Sequence, residues 1–169
     1  MRKAIVVAAA VAVALAIFGC AKKAEEPTAE TAAPAMTVDD AKGRLAAVLE
    51  EVENLRAGAE KPTAELAQAF NDNVAKLEGL HTELTEIEAP EADAPAYAEA
   101  TAKVEAAAVS VEGLAKITEA AMAKEPTMTK EELEALSNNA KAKFLEACEY
   151  AAPEIAAKLT GPPAEEKTE

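Results

Sequence analysis

The large apolar residues of this chain are few, and they recur at the spacing of an α-helix. The clearest stretch has alternating intervals of four and three residues, interrupted only by a polar residue at Asn73, and consists of Leu66, Phe70, Asn73, Leu77, Leu80, Leu84 and Ile87. This spacing places apolar side chains on one face of a helix, where they can pack against a neighbouring helix. No segment has the strict alternation that is typical of a half-buried strand. The pattern therefore predicts an all-α fold.

Similar stripes predict four helices, at about 38–57, 64–88, 96–124 and 130–159. Capping patterns mark the starts of the first and last of these helices: Thr37 with Asp40 three residues on, and Thr129 with Glu132. Because the turns between these segments are short, we expect an antiparallel up-down four-helix bundle over residues 37–160. Pro153 lies inside the last stripe and removes a backbone donor, so we expect a kink near Pro153 or a separate short last helix.

The composition is acidic, with 31 Asp and Glu against 17 Lys and Arg and a net charge of −14. That balance argues against nucleic acid as a partner, because nucleic-acid binding rewards a basic face. Highly charged chains with few large apolar residues are often disordered. We expect this one to fold because its large apolar residues lie on helical stripes.

The N-terminus has the pattern of an export signal. Two basic residues, Arg2 and Lys3, precede an apolar run from Ala4 to Phe18, which would make a helix of about 22 Å, too short for a bilayer core of about 30 Å. The run ends in Ile17-Phe18-Gly19-Cys20, which resembles the lipobox of bacterial lipoproteins. An ordinary signal peptide with an incidental cysteine is the alternative.

The lipoprotein resemblance implies a signal peptide at residues 1–19, removed by signal peptidase II, and acyl chains such as palmitate on Cys20. Two or more chains would anchor the protein stably in a membrane. In that family the residue after the cysteine influences sorting, and Ala21 favours the outer membrane, facing the periplasm, over the inner membrane. Residues 20–36 then form a disordered tether, and residues 161–169 a disordered tail.

The sequence offers little catalytic chemistry, and we predict no catalytic residue, no cofactor and no metal site. His81 is the only histidine, and Glu78-Gly79-Leu80-His81 is a single Glu-x-x-His, whereas a di-iron bundle needs two copies. One alternative stays open. Helices two and four run parallel in an up-down bundle, so Cys148 and His81 fall at a similar level and could form a redox-sensitive or ligand-binding pair.

These observations lead to an expectation about function. We expect a membrane-anchored envelope lipoprotein that is not an enzyme and acts as a protein-binding or scaffolding module with an envelope protein as partner. The alternative is a periplasmic carrier or chaperone-like bundle for a lipid, a small apolar ligand or an unfolded segment. The sequence leaves the identity of the partner or ligand and the oligomeric state open.

Overall fold

The computed structural model of the protein describes residues 36–161, and the regular elements in this part of the chain are all helices. They are α1 (Val38–Gly58), α2 (Ala64–Thr85), α3 (Ala94–Met122), α4 (Lys130–Ala151) and α5 (Pro153–Thr160). The predicted all-α fold is confirmed. The second helix ends at Thr85 rather than 88, and the predicted last helix, 130–159, is divided into α4 and α5.

Side-chain caps explain where three of the helices begin. The Thr37 hydroxyl accepts a hydrogen bond from the Asp40 amide at 3.1 Å, and the Asp40 carboxylate accepts one from the Thr37 amide at 3.0 Å. Thr129 and Glu132 form the same reciprocal pair at 3.2 and 2.8 Å. Both predicted capping boxes are thereby confirmed. At the start of α2, the Thr63 hydroxyl accepts from the Leu66 amide at 3.1 Å.

The break between α4 and α5 lies at Ala152. Its backbone leaves the helical region, with φ −141° and ψ 64°, and Pro153 then occupies the first turn of α5. A proline is tolerated there because the first-turn amides have no partner within the helix. The chain therefore forms a separate short helix, the second of the two outcomes expected at Pro153.

The helices share one apolar core. Helix α3 packs most extensively on α2 and α4, α1 packs on α2, α3 and α4, and α5 packs on α4. The largest apolar side chains below 2% exposure include Leu45, Leu49, Val52, Leu77, Val104 and Val111. This arrangement is compatible with a four-helix bundle.

Small residues bring α3 and α4 together closely. A Cβ atom added at Gly113 would lie 3.0 Å from the Cβ of Ala140 and 3.5 Å from Cδ1 of Leu136. The buried Ser110 hydroxyl donates a hydrogen bond to the carbonyl oxygen of Ala140 at 2.7 Å. These contacts fix the register of α3 against α4. In residues 36–161, no helix is both long enough and apolar enough to cross a membrane.

Candidate functional site

Unequal helix lengths leave a gap at one end of the packed helices. Helix α1 has 21 residues and α3 has 29, which correspond to about 31 Å and about 43 Å at 1.5 Å per residue. Near the end of α1, the guanidinium carbon of Arg56 lies 5.6 Å from the ring centre of Phe144 in α4. Because α1 ends two residues later, at Gly58, it leaves the first turns of α4 uncovered.

Two adjoining hollows occupy this gap, and together we call them the pole crevice. The inner hollow, of about 150 Å³, is the more enclosed, and its apolar lining comes from Leu114, Phe144, Leu145 and Leu159. The outer hollow, of about 290 Å³, is lined by apolar side chains that include Leu66, Phe70 and Ile117. Arg56 and Leu114 line both hollows. All five helices and the α1–α2 turn thus contribute to the pole crevice.

Cationic side chains line this recess together with the apolar ones. Lys141 lines the inner hollow and Lys61 the outer one, and neither forms an ion pair with another residue of the described range. The Arg56 guanidinium donates to the Glu53 carboxylate at 2.6 Å. Glu60 also lines the outer hollow. The inner hollow, by contrast, has only cations among its charged lining residues, although the chain as a whole is acidic.

Cys148, one member of the predicted redox or ligand pair, is fully buried in α4. Burial, and to a smaller extent the negative charge of Glu53, raise the pKa of its thiol to about 12, and Arg56 acts in the opposite direction. Because the thiolate is the reactive form, this thiol is a poor nucleophile and a poor metal ligand at neutral pH.

His81, the other member, is half-buried on α2. The main packing partners of α4 are α3, α1 and α5, and the charged groups that act on Cys148 come from α1. Among the described residues, no cluster of three or more His, Cys, Asp or Glu side chains is arranged to hold a metal ion. The pairing of Cys148 with His81 stays a prediction.

Cys20, the predicted lipidation site, lies outside the described residues, as do the predicted signal peptide, most of the tether and nearly all of the tail. The pole crevice was not predicted from the sequence. Arg56 and Lys141 look like ordinary exposed charges on amphipathic helices. The available signal was the difference in predicted length between the first and third helices, which implies that one end of the longer helix is left uncovered.

Relationships to other proteins add nothing to this geometry. The chain matches no protein-family model, no curated protein and no solved structure.

Proposed function

We propose that the protein is an envelope lipoprotein, held to the periplasmic face of the outer membrane by acyl chains on Cys20, and that its helical domain is a protein-binding or scaffolding module rather than an enzyme. The observation that carries the binding role is the exposure of large apolar side chains beside the α3–α4 turn. Met122 and Leu133 are each 37% exposed, on either side of that turn. Apolar side chains that are exposed close together, rather than singly, are a feature of protein–protein contact sites.

The proposed architecture is the antiparallel up-down four-helix bundle. Two ion pairs support it for α1 and α2: Arg44 binds Glu83, and Glu51 binds Lys76 at 2.6 Å. As the residue number rises along α1, that of its partner on α2 falls, as antiparallel helices require.

Helices α3 and α4 have the same relation. Lys103 pairs with Glu146 at 3.1 Å, and Ser110 bonds to Ala140 at 2.7 Å. Short connections between the successive helices favour the same topology.

From this topology we also propose which end of the domain meets a partner. The chain enters at Met36, whose carbonyl oxygen accepts a hydrogen bond from the Tyr97 hydroxyl at 3.0 Å, near the start of α3. The α1–α2 and α3–α4 turns then lie at the opposite end of the bundle, which we call the distal pole. A lipid anchor that precedes Met36 would leave the distal pole, with Met122, Leu133 and the pole crevice, free to meet another protein.

The anchor is tested by intact-mass measurement of the protein recovered from membranes. We expect the mature chain to begin at Cys20 with two or three acyl groups, and Cys20→Ser to abolish both acylation and cleavage. Cys148→Ser is the matched control and should remain acylated. Recovery of a cleaved, unacylated wild-type protein in the soluble fraction would contradict the anchor.

The binding role is tested by a photo-crosslinking amino acid placed at Leu133 and, as a control, at the exposed Glu78 on α2. In native membranes we expect a discrete crosslinked product from position 133 and none from position 78. Identical products at both positions would contradict the assignment of the distal pole. If position 133 gave no discrete product, the scaffolding role would be wrong.

A second candidate function is that of a carrier for a lipid or small apolar ligand, and the pole crevice favours it. Ligand pockets are concave, mostly apolar and furnished with a few polar groups, and the crevice has these features. Native mass spectrometry of the full chain should then detect a bound small molecule that is lost on denaturation. A bare protein mass under conditions that keep such ligands bound would count against the carrier function.

A further inference from the structure

We infer that the pole crevice is a fatty-acid site, in which the acyl chain occupies the apolar hollows and the carboxylate is held by Arg56 and Lys141. This inference rests on the carrier function, the second of the two proposals above, and specifies its ligand class. It does not depend on the lipid anchor or on a protein partner.

The inner hollow has the size and lining for hydrocarbon. Its volume of about 150 Å³ equals that of an engineered apolar cavity that stays dry and takes up benzene. Leu114, Phe144 and Leu159 supply its apolar wall. Displacing water from such a surface is favourable in proportion to the apolar area that is buried.

The two hollows together suit a single chain. They adjoin at Arg56 and Leu114, which line both, and the inferred acyl chain extends from the inner hollow into the outer one. The outer hollow, of about 290 Å³, offers Leu66, Phe70 and Ile117 as further apolar contacts.

The positively charged residues that line the inner hollow favour a carboxylate head group. Arg56 and Lys141 line the inner hollow, and no acidic residue lines it. The Glu53 carboxylate accepts a hydrogen bond from the Arg56 guanidinium. Because the guanidinium has five N–H donors, it can also bind a second carboxylate. The guanidinium fork matches a carboxylate in shape, and Lys141 adds a positive charge without an ion-pair partner among residues 36–161.

The test uses the full chain and dodecanoic acid that carries a photoreactive diazirine at its methyl end. After irradiation, peptide mapping by mass spectrometry locates the adducts. Because the carboxylate is held at Arg56 and Lys141, the methyl end should lie in the outer hollow. We therefore expect a saturable product on the segments that contain Leu66, Phe70 or Ile117, displaced by excess dodecanoate but not by neutral dodecanol. Stronger displacement by dodecyl phosphate than by dodecanoate at equal concentration would show that the site prefers phosphate and would overturn the assignment to a carboxylate.

Charge variants test the head-group contacts. Replacing both cations, in Arg56→Gln with Lys141→Gln, should lower the apparent affinity about tenfold or more, because a lost charged hydrogen bond is worth at least about 1.4 kcal/mol. The matched control replaces Lys124 and Lys130, which do not line the crevice, with Gln. An equal loss of affinity in both double variants would show that the effect comes from net charge alone and would overturn the site.

A steric variant tests the hollow itself. Ser137 lines the inner hollow and is exposed, so Ser137→Trp should fill the space without disturbing the core. We expect loss of the mapped adduct with an unchanged helical circular dichroism spectrum. Adducts scattered evenly over exposed helices of the wild-type chain would overturn the inference, whether or not this variant folds.

The same variant separates this inference from the scaffolding role. If Ser137→Trp loses the fatty-acid adduct but keeps the crosslink from position 133, the two sites are independent. If the wild-type chain gives the crosslink but no mapped adduct, the fatty-acid site is wrong and the scaffolding role stands.

Discussion

At the scale of single residues, Asn73 interrupts the apolar stripe of α2 and is nevertheless fully buried. Its amide nitrogen donates to the carbonyl oxygen of Ala69 at 2.9 Å and to Glu51 at 3.3 Å, and its amide oxygen accepts from Lys76 at 3.3 Å. Lys76 also lowers the pKa of the Glu51 carboxylate through a direct hydrogen bond. A polar residue in such a position can specify helix register at a cost in stability.

We therefore predict opposite outcomes for two substitutions of Asn73. Asn73→Ala should lower the free energy of unfolding by about 1–3 kcal/mol, because it leaves a cavity and removes three hydrogen bonds. Asn73→Leu should be neutral or stabilising, because Glu51 and Lys76 are about half exposed and remain hydrated. Urea denaturation measures the free energy of unfolding of both variants. An equal loss of stability in Asn73→Leu and Asn73→Ala would refute this prediction.

Cys148 gives a prediction for alkaline pH. The folded-state pKa of about 12 lies above the ordinary value of 9.0, so the folded chain keeps its thiol proton where the unfolded chain loses it. The associated stability is fully present below pH 9 and is lost as the pH rises from about 9 to about 12. The free energy of unfolding should therefore fall more steeply with pH in the wild type than in Cys148→Ala. Parallel curves for the two proteins would contradict this.

At the scale of elements, two glycines in helices α2 and α3 serve different purposes. Gly79 has open space around it, whereas Gly113 lies against Ala140. Gly79→Ala should stabilise the protein by about 1 kcal/mol through helix propensity. Gly113→Ala gains the same propensity but forces α3 and α4 apart, at about 1–3 kcal/mol, and should be destabilising overall. Thermal unfolding of the two variants compares them directly, and a stabilised Gly113→Ala protein would show that the close approach can relax.

Helix α5 depends on packing rather than on its own length. It has eight residues, and isolated helices shorter than about 12 residues are marginal in water. Ile155 and Ala156 are its buried residues. Ile155→Ala should therefore increase amide exchange throughout 153–160 while leaving α2 protected, and the exposed Glu154→Ala is the control. Unchanged protection of α5 in Ile155→Ala would mean that another contact holds it.

At the scale of the whole molecule, the net charge of −14 opposes compaction through self-repulsion. The ion pairs between described residues lie mostly at the surface, where such pairs contribute little. Raising sodium chloride from about 20 mM to about 500 mM shortens the screening length and should raise the melting temperature. Replacing Glu105 and Glu119, which are exposed, with Gln should reduce this salt dependence. A melting temperature that falls with salt would show that the ion pairs outweigh the repulsion.

The number of long helices, their starts and the interruption at Pro153 followed from the sequence. These features depend on interactions within a few residues: hydrogen bonds four residues apart, the Thr37 and Thr129 caps, and the missing amide of Pro153. Local chemistry of this kind is contained in any short window of the chain, so the apolar spacing was enough to predict it.

The position of the pole crevice and the charges that line it follow from how the helices pack, not from local sequence. Arg56, Lys141 and Leu159 come from α1, α4 and α5, and they meet because α1 ends at Gly58 beside longer neighbours. Such a site depends on the register between helices, which is set by small contacts such as Gly113 against Ala140. The apolar period of each helix indicates which face is buried, but it carries no information about which residue of another helix will lie opposite.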